Sequence, residues 1–213
     1  MAVSSIVDYA SLQNAIADYL IRTDLTTQIQ LGISLAETEF NRSIRNRQME
    51  VSYTTPTVQG QEGYVLPSDF LQTRTLAILT NPMLTLDFKS PRQLKQLYPS
   101  SSWQGEPRCY AIYGQQLLLR PIPDGVYSLE LNYYQKIPPL ASAPGNTNWL
   151  VQQHPDLYLY GSLVPIFRML NDDAQVAATA AILQRLLADL EEQESLEMWN
   201  GSPLTPNTRA LSP

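Results

Sequence analysis

The sequence predicts an α+β protein: a bundle of four main helices, an inserted antiparallel β-sandwich or barrel-like sheet, and an extended C-terminal tail. Three observations carry this. Apolar residues recur at helical spacing before residue 50 and again after residue 149. Strict alternation of period two runs from Val126 to Lys136 between them. After Gly201 come three prolines and no periodicity. The domains expected are residues 1–50 with 149–200, helical; 51–148, the β insertion; and 201–213, an extended arm.

In the first helical stretch, Leu12, Ile16 and Leu20 make a short amphipathic segment, and a turn around Arg22 to Asp24 precedes a longer one. There Ile29, Ile33, Ala36, Phe40 and Ile44 keep the helical step, while Glu37, Glu39, Arg42, Arg45 and Arg47 take the remaining faces. Asp24 is placed to cap the start, and the arginines suit the negative pole at the end. The pattern is a helical hairpin.

From Val51 to about Lys136 short runs of β-formers are broken by turn residues. Val51–Thr55 opens the series. Cys109–Tyr113 and Gln116–Arg120 form a pair joined through Gly114. In the final run Tyr127, Leu129, Leu131 and Tyr133 alternate with Ser128, Glu130, Asn132 and Tyr134, as a sheet with one solvated face requires. One helix interrupts the strands: Ser90 caps it, Pro91 takes the first position, and Leu94 and Leu97 give it an apolar face.

Pro138 to Asn148 reads as the return loop. Pro155 and Asp156 then open a helix that Pro165 should kink. Asn171 is the expected cap of the last helix, with Asp172 and Asp173 where the dipole favours anions. Its stripe of Val176, Ala180, Leu183, Leu187 and Leu190 calls for a partner helix.

The 213 residues carry a formal net charge of -6, with 44% hydrophobic and 16% charged residues, an ordinary globular composition without the basic footprint that grips phosphates. Eleven basic and 12 acidic residues precede Trp149 and 3 and 8 follow, so the acidity is C-terminal. The lone Cys109 excludes an intramolecular disulfide and a cysteine zinc site, and fits synthesis in a reducing cytosol. No apolar run approaches the length of a membrane span, and the first basic residue, Arg22, stands too late for a signal peptide.

Nothing in the sequence announces catalysis, a metal site or a cofactor. The only histidine, His154, stands before Pro155 with no second metal ligand nearby and reads as a local cap. Neighbouring acids such as Glu191 and Glu192 point about 100° apart on a helix, away from any shared reacting atom. The isolated Gly60, Gly63 and Gly114 make no phosphate loop.

Contact surfaces are better supported. Twelve tyrosines against four phenylalanines favour surfaces that are half wet, with Tyr134 on the outer face of the sheet as the example. The candidate interface residues are Arg42, Arg45 and Arg47, Tyr134, and Trp199, Leu204, Arg209 and Leu211 of the tail. An alternative is a carbohydrate- or ligand-binding β module using sheet tyrosines. A hydrolase built on Asp69 and Glu130 has only scattered acids behind it.

Four segments together resemble the head-to-tail adaptors of short-tailed bacteriophages, the ring proteins beneath the portal. Leu35-Ala36-Glu37-Thr38-Glu39-Phe40-Asn41-Arg42-Ser43-Ile44-Arg45 is similar to their long helix. Leu66-Pro67-Ser68-Asp69-Phe70-Leu71 resembles the turn entering their sheet, and Tyr133-Tyr134-Gln135-Lys136-Ile137-Pro138 the strand leaving it. Asn148-Trp149-Leu150 with Pro155-Asp156-Leu157-Tyr158-Leu159-Tyr160-Gly161 is similar to the start of their third long helix. The likeness spans roughly residues 10 to 195, with Pro165 a departure from it.

The resemblance implies a non-enzymatic virion protein of the phage neck and tail, made in the host cytoplasm. It implies a homo-oligomeric ring, a dodecamer, fixed to the portal protein, extending the DNA channel and carrying the tail nozzle and tail fibres. The helices would form the ring wall and the segment from Trp199 the arm that reaches the portal. DNA would pass without sequence-specific binding, since acidic walls repel a duplex and let it slide.

Overall fold

The computed structural model describes residues 5–100 and 102–199, and the chain folds into two compact units: Met1–Arg47 with Pro138–Pro213, and Gln48–Ile137. Six α-helices and eight β-strands lie among the described residues, so the class is α+β.

The first unit is helical. Helix α1, Tyr9–Leu20, starts on a reciprocal cap in which Asp8 accepts from the Ser11 N–H at 2.7 Å and the Asp8 N–H donates to the Ser11 hydroxyl at 2.9 Å. It buries Leu12 and Ile16 and closes at Ile21, whose backbone is left-handed (φ 53). Helix α2, Thr26–Ser43, buries Ile29, Ile33, Ala36 and Phe40, the stripe that its periodicity predicts. Asp24 does not cap it. The N-cap is Leu25, with no side-chain bond, because Arg22 two residues earlier holds the Asp24 carboxylate at 2.6 Å.

Chain return into this unit runs through α4, Trp149–Gln153, where Asn148 accepts from the Val151 N–H at 3.0 Å. Helix α5, Pro155–Met169, begins on Pro155 and buries Leu157, Tyr158, Leu163 and Ile166. It runs without a break through Pro165, although proline supplies no N–H to the carbonyl of Gly161. Helix α6, Asp173–Trp199, is about 40 Å long. Its cap is Asp172, which accepts from the Gln175 N–H at 3.1 Å; the expected cap, Asn171, instead takes a left-handed conformation (φ 56) after α5.

Helices α2 and α5 cross at two glycines. A Cβ at Gly32 would lie 2.6 Å from Ile166, and one at Gly161 would lie 2.5 Å from the Phe40 ring, so neither position has room for a side chain. Phe40 also meets Tyr158 edge-on, ring centres 5.2 Å apart.

The second unit holds two four-stranded sheets. One is ordered β1 (Glu50–Pro56), β8 (Ser128–Gln135), β3 (Phe70–Ile78), β4 (Leu84–Thr85), all antiparallel. The other is ordered β2 (Gly63–Val65), β7 (Gln116–Arg120), β6 (Cys109–Tyr113), β5 (Asp87–Phe88), with β5 and β6 parallel. The sheets do not close into a barrel. Leu129, Leu131 and Tyr133 of β8 join Leu76 and Ile78 of β3 and Tyr110, Leu117 and Leu119 of the second sheet in one core. Helix α3, Pro91–Leu97, has the expected Ser90 cap and sets Leu94 on Cys109 and Ala111.

Candidate functional site

Asp69 and Glu130 are bonded within the sheet unit, and His154 stands in the helical unit. His154 is half-buried between α4 and α5; its backbone N–H donates to the Leu150 carbonyl at 2.8 Å, and its side chain caps nothing. It lines a small hollow with Asp156 and Asp189, whose lining includes no serine, threonine, cysteine or lysine. Asp69 accepts from the Tyr133 hydroxyl at 3.0 Å, and Glu130 from the Ser52 hydroxyl at 3.1 Å. Burial and the Asp69 bond push the Tyr133 phenol up to about 12. Among the described residues no cluster of three or more His, Cys, Asp or Glu is placed to hold a metal, and no helix is long and apolar enough to cross a membrane.

The arginines singled out in the sequence are not one face. Arg42 is exposed in the last turn of α2 with Glu39 at 3.7 Å. Arg45 lies past the helix end and turns back to donate to the Asn41 and Ile44 carbonyls, at 3.0 and 2.6 Å. Arg47 stands in a 3₁₀ turn, and its backbone N–H donates to the Glu194 carboxylate of α6 at 3.0 Å. The helix stops at Ser43, so helical spacing does not extend over all three.

Tyr134 is half-buried beneath Arg74. The guanidinium sits 5.9 Å from the ring centre and donates to the Tyr134 hydroxyl at 2.7 Å, while also pairing with Glu50. That ring therefore offers no bare face on this side to a sugar. Trp199 closes α6; its side chain, and Leu204, Arg209 and Leu211, lie outside the described residues.

The surface that sequence reading missed is a groove of about 400 Å³ in the helical unit, over α5 and between α2 and α6. Its walls include Leu35, Phe40, Val164, Leu183 and Leu187, with the charged groups of Arg42, Arg168 and Glu39. Leu183 and Leu187 belong to the α6 stripe whose spacing calls for a partner. The other wall could not be read, since it depends on how far apart α2 and α6 stand.

Behind the groove, α2 carries a polar group inward. Glu37 is only 9% exposed and accepts from the Leu140 N–H at 2.7 Å. Burial raises its carboxyl above the ordinary value, and the Leu140 bond opposes this only in part. Asn148 donates to the Tyr158 hydroxyl at 2.7 Å and to the Pro138 carbonyl at 2.9 Å, and burial holds that phenol well above its usual range.

Charge is divided as sharply as structure. The helical unit holds 7 basic and 13 acidic residues, net -6, and the sheet unit 7 and 7, net zero. Helix α6 alone has six acids against Arg185.

The described residues make an α+β scaffold with an apolar groove in its helical unit. The sequence model of the SU10 adaptor protein family matches residues 7–209, nearly the whole chain. The chain belongs to that family: it is a phage adaptor, a structural component of the virion. No curated protein matches it.

Proposed function

We propose that this adaptor forms a homo-oligomeric ring of twelve copies beneath the phage portal, lengthens the DNA channel and gives the tail nozzle and fibres their platform. It performs no reaction. The observation that carries the reading is the segregation of charge: the whole net charge of -6 sits in the helical unit, much of it on the 27-residue α6. A ring walled by such units presents a negative field to a passing duplex, which keeps phosphates from binding and lets DNA slide.

The segment from Trp199 to Pro213 is the arm that meets the portal in this reading, Leu204 and Leu211 supplying apolar anchors. Arg42 and its neighbours contribute to contacts between proteins.

Co-sedimentation with purified portal rings tests the proposal. The full chain is expected to bind and a chain lacking residues 201–213 to fold but not bind. A truncated chain that sediments as the full one does would remove the arm. Full chain that never sediments with a portal would remove the function.

A further inference from the structure

The chain passes between its two units twice, leaving the helical unit after Arg47 and returning at Pro138. At each crossing a helix carboxylate takes the backbone donor nearest the boundary. Arg47 is the last residue before the exit, and its N–H donates to Glu194 of α6 at 3.0 Å. On the return Pro138 and Pro139 have no N–H, so Leu140 offers the first donor, and Glu37 of α2 accepts it at 2.7 Å. Asn148 adds a bond to the Pro138 carbonyl at 2.9 Å.

The choice of acceptor sets these bonds apart from ordinary loop contacts. A carboxylate accepting from an N–H makes a charge-assisted bond, roughly twice as strong as a neutral one. Glu37 stays buried to make it, a desolvation cost that an amide acceptor at the same position would avoid. Strength at that point is what the charge adds.

We infer that Glu37 and Glu194 are latches on the two crossings, and that together they set how freely the sheet unit moves on the helical unit. Units joined by short linkers move relative to one another by default, and the motion is absorbed by a few residues at the ends of elements. With Arg47 tied to α6 and Leu140 tied to α2, the free backbone is cut to Gln48 on one side and to Pro138 and Pro139 on the other. The φ angles of those prolines are fixed by their rings, which stiffens the return crossing further. Loss of either latch lengthens the hinge. The device belongs to the single chain and stands apart from the ring reading.

Spin labels test it on the full chain. Ala188→Cys on α6 and Val126→Cys in the sheet unit stand at exposed positions, while the native Cys109 is buried. Electron–electron double resonance is expected to give a narrow distance distribution in the labelled parent, a broader one with Glu194→Ala, and the broadest with Glu194→Ala and Glu37→Leu together. Glu194→Gln and Glu37→Gln keep an acceptor and are expected to stay near the parent. Amide exchange supplies a second readout: in Glu194→Ala the Arg47 N–H is expected to exchange about tenfold faster or more, with the α5 amides unchanged. A distribution already broad in the parent, or one still narrow in the double variant with its helical circular dichroism intact, overturns the inference. So does an Arg47 amide that exchanges alike in the parent and in Glu194→Ala, a variant at a half-buried position that decides the matter even if the double variant fails to fold.

Discussion

The carboxylate of Glu37 accepts a hydrogen bond from the backbone N–H of Leu140 at 2.7 Å, tying the middle of α2 to the segment by which the chain re-enters the helical unit. A charged group held at 9% exposure for the sake of one N–H is an unusual investment. Its consequences are measurable.

Burial lifts the Glu37 carboxyl above 4.5, so between that value and its folded value the native state holds a proton that the unfolded chain has lost. Stability from this group is therefore greatest at low pH and falls as pH rises through that window. Glu37→Gln keeps the acceptor and removes the charge, so it should raise the denaturation midpoint at pH 7 and leave it nearly unchanged at pH 4. Glu37→Leu strands the Leu140 N–H and should cost about 1–3 kcal/mol at either pH. Chemical denaturation followed across pH distinguishes the two.

Gly161→Ala sets a helix-propensity gain of about 1 kcal/mol against overpacking of about 1–3 kcal/mol. With its Cβ 2.5 Å from a Phe40 ring that is fully buried, the second effect wins. A lower thermal midpoint is expected, and Phe40→Leu in the same chain should recover part of it.

Pro165→Ala restores the N–H that the Gly161 carbonyl lacks in α5. We expect it to stabilise the helical unit by about 1–3 kcal/mol, read by circular dichroism during denaturation. An unchanged midpoint would mean that packing of the proline ring in the groove offsets the missing bond.

In the sheet unit, Arg120 is 8% exposed and its Nη2 donates to Glu62 at 2.7 Å, while Nη1 is buried without a partner. Glu62→Ala leaves that guanidinium uncompensated and should cost about 2 kcal/mol, less than a fully buried pair because Glu62 is partly exposed. Glu62→Gln, which keeps an acceptor, should cost less.

Elements governed by local chemistry were legible in the sequence. The alternation of β8 placed Leu129, Leu131 and Tyr133 inside, and Ser90-Pro91 marked the start of α3. Caps were less so, because the choice between neighbouring acceptors is a competition: Arg22 withdraws Asp24 from α2, and Asp172 outcompetes Asn171 at α6. Surfaces built from distant residues were not legible. The groove needs Leu35 and Leu187 on facing helices, and the cover over Tyr134 needs Arg74 from another strand. Ile21 carried no signal at all, since its residue type argues against the backbone that it adopts.

Electron microscopy of the full chain bound to portal rings tests the central claim most directly. Rotational averages are expected to reveal an added ring of twelve copies around an open channel, coaxial with the portal. Portal rings that remain bare, or single chains scattered without symmetry, would contradict it.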